Sequence, residues 1–360
     1  RPTDRSRYRQ PSARTCQPKP SAANPAQHHA GGVIETTETT YHSYREAIDQ
    51  AMLAQLDGRT PASLYEPVRH VFAAGGKRVR GVLTLLATGA VDGDIEASMQ
   101  AAVAVEMLHA FTLVHDDIMD NSPTRRGVPT VHTKWDVGTA ILAGDVMIGL
   151  AQGILLDKKL ERCEQVADAF SRGIIEVCEG QALDREFEQR TDLTETDYLG
   201  MIAMKTGRLA EMAAVIGAHL GIGDDAEVAA LRDYARNLGF AFQIRDDLLD
   251  VIGEGATFGK EIGKDIVEGK RTFLVVAAAA TELNADDRAL LDRLLANPGL
   301  PANEVDAMRD LFERSGAIAR AEAEIERYSS EAITCLDRLA PRHEVATLDW
   351  LCRTLVNRQV

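Results

Sequence analysis

AAVAVEMLHAFTLVHDDIMD, residues 101–120, decides the fold. Apolar residues surround nearly the whole circumference of AAVAVEMLHAFTLV (101–114). A helix of that kind is enclosed on all sides, either central in a large bundle or packed against a partner subunit. It closes on three aspartates, Asp116, Asp117 and Asp120. Asp116 and Asp120 lie four apart, so their carboxylates share one helix face. Like charges at that spacing repel, and the arrangement calls for something positive opposite them.

Outward from this segment the chain reads as helix after helix. Apolar spacings of three and four mark 43–57, 62–73, 79–90, 95–119, 136–155, 160–186, 195–220 and 224–250, then 270–281, 285–295, 303–314, 316–338 and about 342–357. Gly and Pro clusters at 75–76, 122–129, 253–264 and 297–301 separate them. No stretch alternates as a strand. The expected fold class is all-α, one domain over residues 38–360. Composition agrees: 45% of the 360 residues are apolar but only 5% aromatic, with Ala and Leu abundant, which favours helices.

Residues 1–37 stand apart. The first 34 carry six bases and one acid, rich in Pro, Ser, Ala and Gln. A transit peptide shares the Arg- and Ser-rich, acid-poor composition, but the segment has no helical apolar face and reads as a disordered extension. The net charge of −15 argues against a nucleic-acid partner. No uninterrupted apolar run approaches the roughly 18 residues of a membrane span. The five cysteines form no CxxC pair, as expected of a reducing, cytoplasmic setting.

A second acidic cluster repeats the first. QIRDDLLD (243–250) carries Asp246, Asp247 and Asp250. Each cluster ends an apolar helix and precedes a loop with Gly or Pro, so the two can face each other across a cavity. Facing carboxylates need bridging cations. Oxygen ligands without His or Cys suit Mg²⁺, which completes its shell with water and phosphate oxygens. The basic residues fit a phosphorylated ligand. GGKRVR (75–80) places Lys77, Arg78 and Arg80 at a Gly-entered helix start, where backbone N–H groups favour anions. Arg125 and Arg126 follow the first cluster, Lys205 lies in KTG, and Lys260, Lys264 and Lys270 follow the second. The number of bases implies more than one diphosphate.

From about residue 45 to the C-terminus the chain resembles the trans-type isoprenyl diphosphate synthases, or polyprenyl synthetases. GGKRVR, EMLHAFTLVHDDIMDNSPTRRGVPTVH (106–132), GD (144–145), GQALD (180–184), KTG (205–207), FQIRDDLLD (242–250) and GKEIGKDIVEGKRT (259–272) carry the resemblance. It implies an all-α isoprenoid synthase bundle around a deep cavity, usually a homodimer. The implied reaction joins isopentenyl diphosphate head to tail to an allylic diphosphate and releases pyrophosphate. By matching, Asp116, Asp120 and Asp246 would bind Mg²⁺, usually three ions. Asp250, with Asp117 and Asp265, would join the metal site through water or hydrogen bonds. Lys77, Arg80, His109 and Arg126 would hold isopentenyl diphosphate; Arg125, Lys205, Lys260 and Lys270 would hold the allylic diphosphate. Thr206 and Gln243 would sit beside the developing cation, and Gln181 and Asp184 near the allylic site.

The growing product would extend away from the metals along the helix before Asp116. Thr112 and Leu108, four and eight residues back, share the aspartate face. Phe111 lies off that face by helical arithmetic, but the resemblance makes an aromatic there a length limiter. That pattern resembles the short-chain type making the twenty-carbon geranylgeranyl diphosphate; farnesyl or longer products are the alternatives. His115 is expected to be structural. Three rivals share part of the pattern. A terpene cyclase usually replaces the second acidic motif and lacks GGKRVR, a head-to-head synthase has no use for an isopentenyl site, and a non-catalytic partner subunit tends to lose one acidic motif.

Overall fold

The computed structural model describes residues 36–156, 160–253, 263–296 and 299–356. Thr36–Val360 forms one compact unit. Helices α1 (Thr37–Ala54), α2 (Ala62–Ala73), α3 (Val79–Ala90) and α4 (Ile95–Met119) precede a two-residue hairpin, β1 (Thr124–Arg125) and β2 (Val128–Pro129). There follow α5 (Val131–Lys134), α6 (Val137–Leu155), α7 (Cys163–Phe187), α8 (Glu195–Ile202), α9 (Arg208–Leu220) and α10 (Asp225–Ile252). The chain ends with α11 (Lys264–Val267), α12 (Phe273–Ala279), α13 (Ala285–Leu295), α14 (Val305–Arg314), α15 (Ala317–Leu336) and α16 (His343–Val356). The all-α expectation holds.

Local chemistry explains where the key helices begin. Asp94 caps α4 by accepting from the Ala97 N–H at 3.1 Å. Asp224 caps α10 in a reciprocal box with Glu227. At the other end of the chain, Thr36 and Thr39 form the same box at the start of α1.

The helix of residues 101–120 is the centre of the molecule. Ala101 to Val105 are wholly buried. α4 packs on α6 along one side and on α3 along another, while α10 packs on α15 and α9. Both α4 and α6 are long and apolar enough to cross a membrane by length and composition alone. α4 is mostly buried in protein. α6 buries one face and exposes Val137, Ile141 and Leu142 on the other, with Ile175 of α7 exposed too.

Two features depart from the sequence reading. Residues 195–220 are not one regular helix, because Ala203–Gly207 forms a π-turn between α8 and α9. Such turns insert one residue into a helix and recur at functional sites. Gly180 of α7 meets its backbone so closely that a Cβ there would stand 2.4 Å from the Lys205 nitrogen. The hairpin is the other departure. Its loop residues Arg126 and Gly127 have φ of 53° and 77°, the positive pair that a two-residue primed turn requires. Strands of two residues are too short for alternation to show in a sequence.

Candidate active site

Both acidic clusters occupy the last turns of their helices, Asp116, Asp117 and Asp120 on α4, and Asp246, Asp247 and Asp250 on α10. Helix C-termini already carry partial negative charge, so the sequence places carboxylates where the backbone opposes them. Neither last turn contains a basic residue to relieve this.

Relief comes from other elements. Lys205, on the π-turn, pairs with Asp184 of α7 and acts electrostatically on Asp116. Lys270, just before α12, lies 3.3 Å from Asp265 and 3.0 Å from Glu268, and feels Asp120 of the first cluster. Burial works against its charge, but these carboxylates raise its pKa. Burial, then Asp120 and Asp184, push Asp116 up to about 6, although Lys205 and Arg125 oppose the rise. Lys205 thus offsets the first acidic end, while Lys270 acts on Asp120 of that end and pairs with Asp265, whose N–H binds Asp250 of the second. The side chains of Asp120 and Asp246 have no hydrogen-bond or ion-pair partner among the described residues.

The middle aspartates behave differently. Asp117 is buried and accepts from Arg125 Nε at 2.8 Å. Burial raises its pKa in spite of that partner. Arg125, assigned by resemblance to the allylic diphosphate, is therefore engaged by protein. Asp247 is 5% exposed. It accepts from the Tyr198 hydroxyl (2.6 Å), Gln243 Nε2 (2.9 Å) and the Phe273 N–H (2.9 Å). Burial and then Asp265 push it up to about 7, against those three bonds. Asp250 accepts from the Asp265 N–H at 3.0 Å, holding the start of α11. Thr206 and Gln243 come together, the hydroxyl donating to Oε1 at 2.8 Å.

Among the described residues, no three carboxylate, imidazole or thiol groups converge on a single point as a ready-made metal cage. That fits Mg²⁺, which binds through one or two carboxylates and takes the rest of its shell from water and phosphate. The elevated Asp116 and the unpaired Asp120 and Asp246 are the groups a cation would stabilise.

A second, basic cluster lies beside the first motif. Arg80 Nη1 donates to His109 Nε2 at 3.1 Å. Burial and then the surrounding Arg80, Arg126, Arg78 and Arg125 hold His109 well below its ordinary pKa, so the ring is neutral. With Nε2 accepting, Nδ1 carries the proton. Among the described residues, His109 Nδ1 and Arg80 Nε are both buried without a partner, and unpaired buried donors need an acceptor. Arg126, in its left-handed conformation, donates to the Gly75 carbonyl. Lys77 is exposed at the same loop, and its carbonyl accepts from Tyr41. Arg80, His109 and Arg126 are thus brought together, with Lys77 exposed on the adjoining loop. Lys260 lies outside the described residues.

GGKRVR is not uniformly a ligand loop. Arg78 is the left-handed cap of α3 (φ 49°) and is buried. It donates to Asp49 (2.6 Å) and to the Phe72 carbonyl (2.9 Å), and lies 3.8 Å from Glu106. Glu106 accepts the Gly81 N–H at 2.8 Å. The sequence reading left out Glu106, Asp49 and Tyr198. A glutamate within AAVAVEMLH was the available signal, because a buried charge requires a partner.

On the product side, Phe111 is 9% exposed and meets the His115 ring edge-on, with centroids 4.6 Å apart. His115 lies against α6, and a Cβ on Gly144 would stand 2.3 Å from its Nε2. Leu108 is buried, and Thr112 bonds back to the His109 carbonyl.

A helical bundle with acidic helix ends flanked by lysines, and a basic cluster alongside, is built to hold phosphorylated ligands with divalent cations. The polyprenyl synthetase family profile matches residues 61–312. The chain is 38% identical over 310 residues to a short chain isoprenyl diphosphate synthase of Methanothermobacter thermautotrophicus, covering 85% of this chain and 94% of that protein. It is 38% identical over 299 residues to a geranylfarnesyl diphosphate synthase of Natronomonas pharaonis, covering 78% and 86%. The crystal structure of a geranylgeranyl pyrophosphate synthetase from Pyrococcus horikoshii superposes with a TM-score of 0.83 at 35% identity, covering 89% of this chain and 99% of that one. The chain belongs to the polyprenyl synthetase family, and it is an enzyme of the trans-prenyltransferase type.

Proposed function

We propose that this enzyme condenses isopentenyl diphosphate head to tail with an allylic diphosphate of five to fifteen carbons, with geranylgeranyl diphosphate as its main product. The observation that carries the reading is the pairing of two sites. The Asp116/Asp120 and Asp246 ends, with Lys205 and Lys270 beside the first, suit the allylic diphosphate. The Arg80–His109–Arg126 cluster, with its unpaired donors, suits isopentenyl diphosphate.

Asp116, Asp120 and Asp246 would hold magnesium, three ions by family resemblance, with Asp250 joining through water. When bound, the metal supplies neutralisation of the leaving diphosphate. The protein's own groups act alongside. Lys205 and Lys270 stabilise negative charge as the carbon–oxygen bond breaks. Thr206 and Gln243 present oxygen dipoles to the allylic cation. Arg80 and His109 fix the isopentenyl diphosphate so that its double bond reaches that cation. The proton lost after bond formation passes to the departing pyrophosphate, since no described side chain stands out as a base.

Phe111, braced by His115 against α6, would close the cavity below Leu108 and Thr112 and set the product length. The exposed apolar face of Val137, Ile141, Leu142 and Ile175 would be covered by a second copy in a homodimer. Cys163, Cys178, Cys335 and Cys352 are free thiols, in keeping with a cytoplasmic enzyme.

The test is a product assay. The protein is incubated with Mg²⁺, isopentenyl diphosphate and, separately, allylic primers of five, ten and fifteen carbons. The dephosphorylated alcohols are then sized. A twenty-carbon alcohol that disappears with EDTA supports the reading. A fifteen- or twenty-five-carbon alcohol would move the floor of the cavity, and no elongation from any primer would refute the enzymatic assignment.

A further inference from the structure

Thr206 and Gln243 are the last two members of a directed hydrogen-bond chain. Its origin is Asp247, whose place in an acidic motif suggests a metal ligand. Both of its oxygens are instead occupied by protein donors. Oδ2 accepts from the Tyr198 hydroxyl of α8 and from the Phe273 N–H that begins α12, and Oδ1 accepts from Gln243 Nε2. Gln243 Oε1 in turn accepts from Thr206 Oγ1 on the π-turn. One carboxylate thus joins α8, α10, α12 and the turn that carries Lys205 and Thr206.

We propose that Asp247 is a positioning residue that fixes the polarity of this chain, so that Thr206 turns its oxygen lone pairs, and not its O–H, toward the allylic cation. The inference rests on the condensation reaction proposed above.

Each link is forced by the one before it. All three neighbours of Asp247 are donors, and between them they use both of its oxygens as acceptors. Tyr198 and Phe273 fill one oxygen, so Gln243 must face the other with its amide nitrogen. Its carbonyl is then left for Thr206, which must donate. The Thr206 proton is spent on Gln243, and only lone pairs remain for positive charge developing beside it. Run backward, the same chain would aim an O–H dipole at the cation and destabilise it. The edge-on contact between Tyr198 and Phe273, with centroids 5.8 Å apart, holds the two outer donors in register.

Asp247→Asn tests this because it keeps the shape and reverses the chemistry. The new amide would keep its carbonyl on Tyr198 and Phe273 and present NH₂ to Gln243. Gln243 must then turn over and donate to Thr206. The expected result is a fall in kcat of about 10- to 100-fold, with KM for both diphosphates within about two-fold of wild type. Thr206→Val should lose a similar factor, and Thr206→Ser should restore most of it. In the double variant Asp247→Asn/Thr206→Val, kcat should be no lower than in Thr206→Val alone, because the chain has lost its end. A multiplicative loss in the double variant, or a loss confined to KM, would overturn the inference.

Tyr198→Phe separates polarity from packing and serves if Asp247→Asn does not fold. It removes one donor but leaves Phe273 on Oδ2 and the direction unchanged, so kcat should stay within about three-fold while the melting temperature falls. A kcat loss as large as that of Thr206→Val would overturn the inference. Wild-type protein that makes no prenyl product would overturn the proposed reaction itself; an active wild type with a multiplicative cycle would overturn only the role of Asp247.

Discussion

Glu106→Gln probes how the isopentenyl site is held open. Glu106 is 1% exposed, inside the most apolar helix of the molecule. One oxygen takes the Gly81 N–H at 2.8 Å, and the other faces Arg78 at 3.8 Å. Glutamine keeps the shape and the acceptor for Gly81, but it replaces a negative charge with an NH₂ group against a buried guanidinium. Breaking a buried ion pair outright costs about 3–5 kcal/mol. Arg78 keeps Asp49 at 2.6 Å and the Phe72 carbonyl at 2.9 Å, so the loss should be smaller, about 2 kcal/mol. At roughly 2–4 °C per kcal/mol for chains somewhat shorter than this one, the melting temperature should fall by about 4 °C. Arg78 is the cap that aims Lys77 and Arg80, so loosening it should act on one substrate. If about 1.4 kcal/mol of the loss falls on ligand-ready geometry, KM for isopentenyl diphosphate rises about ten-fold. KM for the allylic primer should stay put. Thermal unfolding and initial rates with each substrate varied in turn give the answer. An unchanged melting temperature, or an equal rise in both KM values, would refute the clamp.

Three further outcomes follow from the acidic site and its floor. Asp116→Ala or Asp246→Ala should lower kcat by about 10²-fold or more, with the protein still folded by circular dichroism; near-normal rates in either would remove that residue from the metal site. Phe111→Ala should lengthen the main alcohol by at least one isoprene unit on product sizing, and should destabilise the fold by about 3 kcal/mol; an unchanged product places the floor elsewhere. Asp116 is pushed up to about 6, against about 3.9 in an unfolded chain. Between these values the folded protein holds protons that the unfolded chain has released, so metal-free stability falls as pH rises through that window. Added Mg²⁺ should therefore raise the melting temperature more at about pH 7.5 than at about pH 5, where protonated carboxyls bind metal poorly; equal shifts would contradict the assignment.

Helices were legible in the sequence where local chemistry set their limits. Asp94 and Asp224 are visible caps, and the spacing of apolar residues carries α4 and α10 to their aspartates. The paired acidic motifs were legible for the same reason, since a run of carboxylates at a helix C-terminus has no local justification. Roles decided by tertiary partners were not. Lys77, Arg78 and Arg80 are alike as letters. Only Asp49 and Glu106, each more than twenty residues away in sequence, turn Arg78 into a buried brace. Asp246 and Asp247 are adjacent and identical, and only Tyr198 and Phe273 separate the one left facing the site from the one drawn into the protein. The π-turn left no trace because one added residue hardly disturbs the apolar spacing on either side.

That added residue divides one stretch of chain into two angular phases. Successive residues of an α-helix are about 100° apart. Deleting any one residue of Ala203–Gly207 would let α8 and α9 fuse into a single regular helix. The protein need not unfold, but everything on one side of the cut would rotate by more than a quarter turn relative to the other. Tyr198 would leave Asp247, or else Glu211 would leave Arg236, its partner at 3.0 Å. The site is therefore intolerant of any change in the length of this segment, so a gap here in the sequence of a relative would mark a protein with different chemistry.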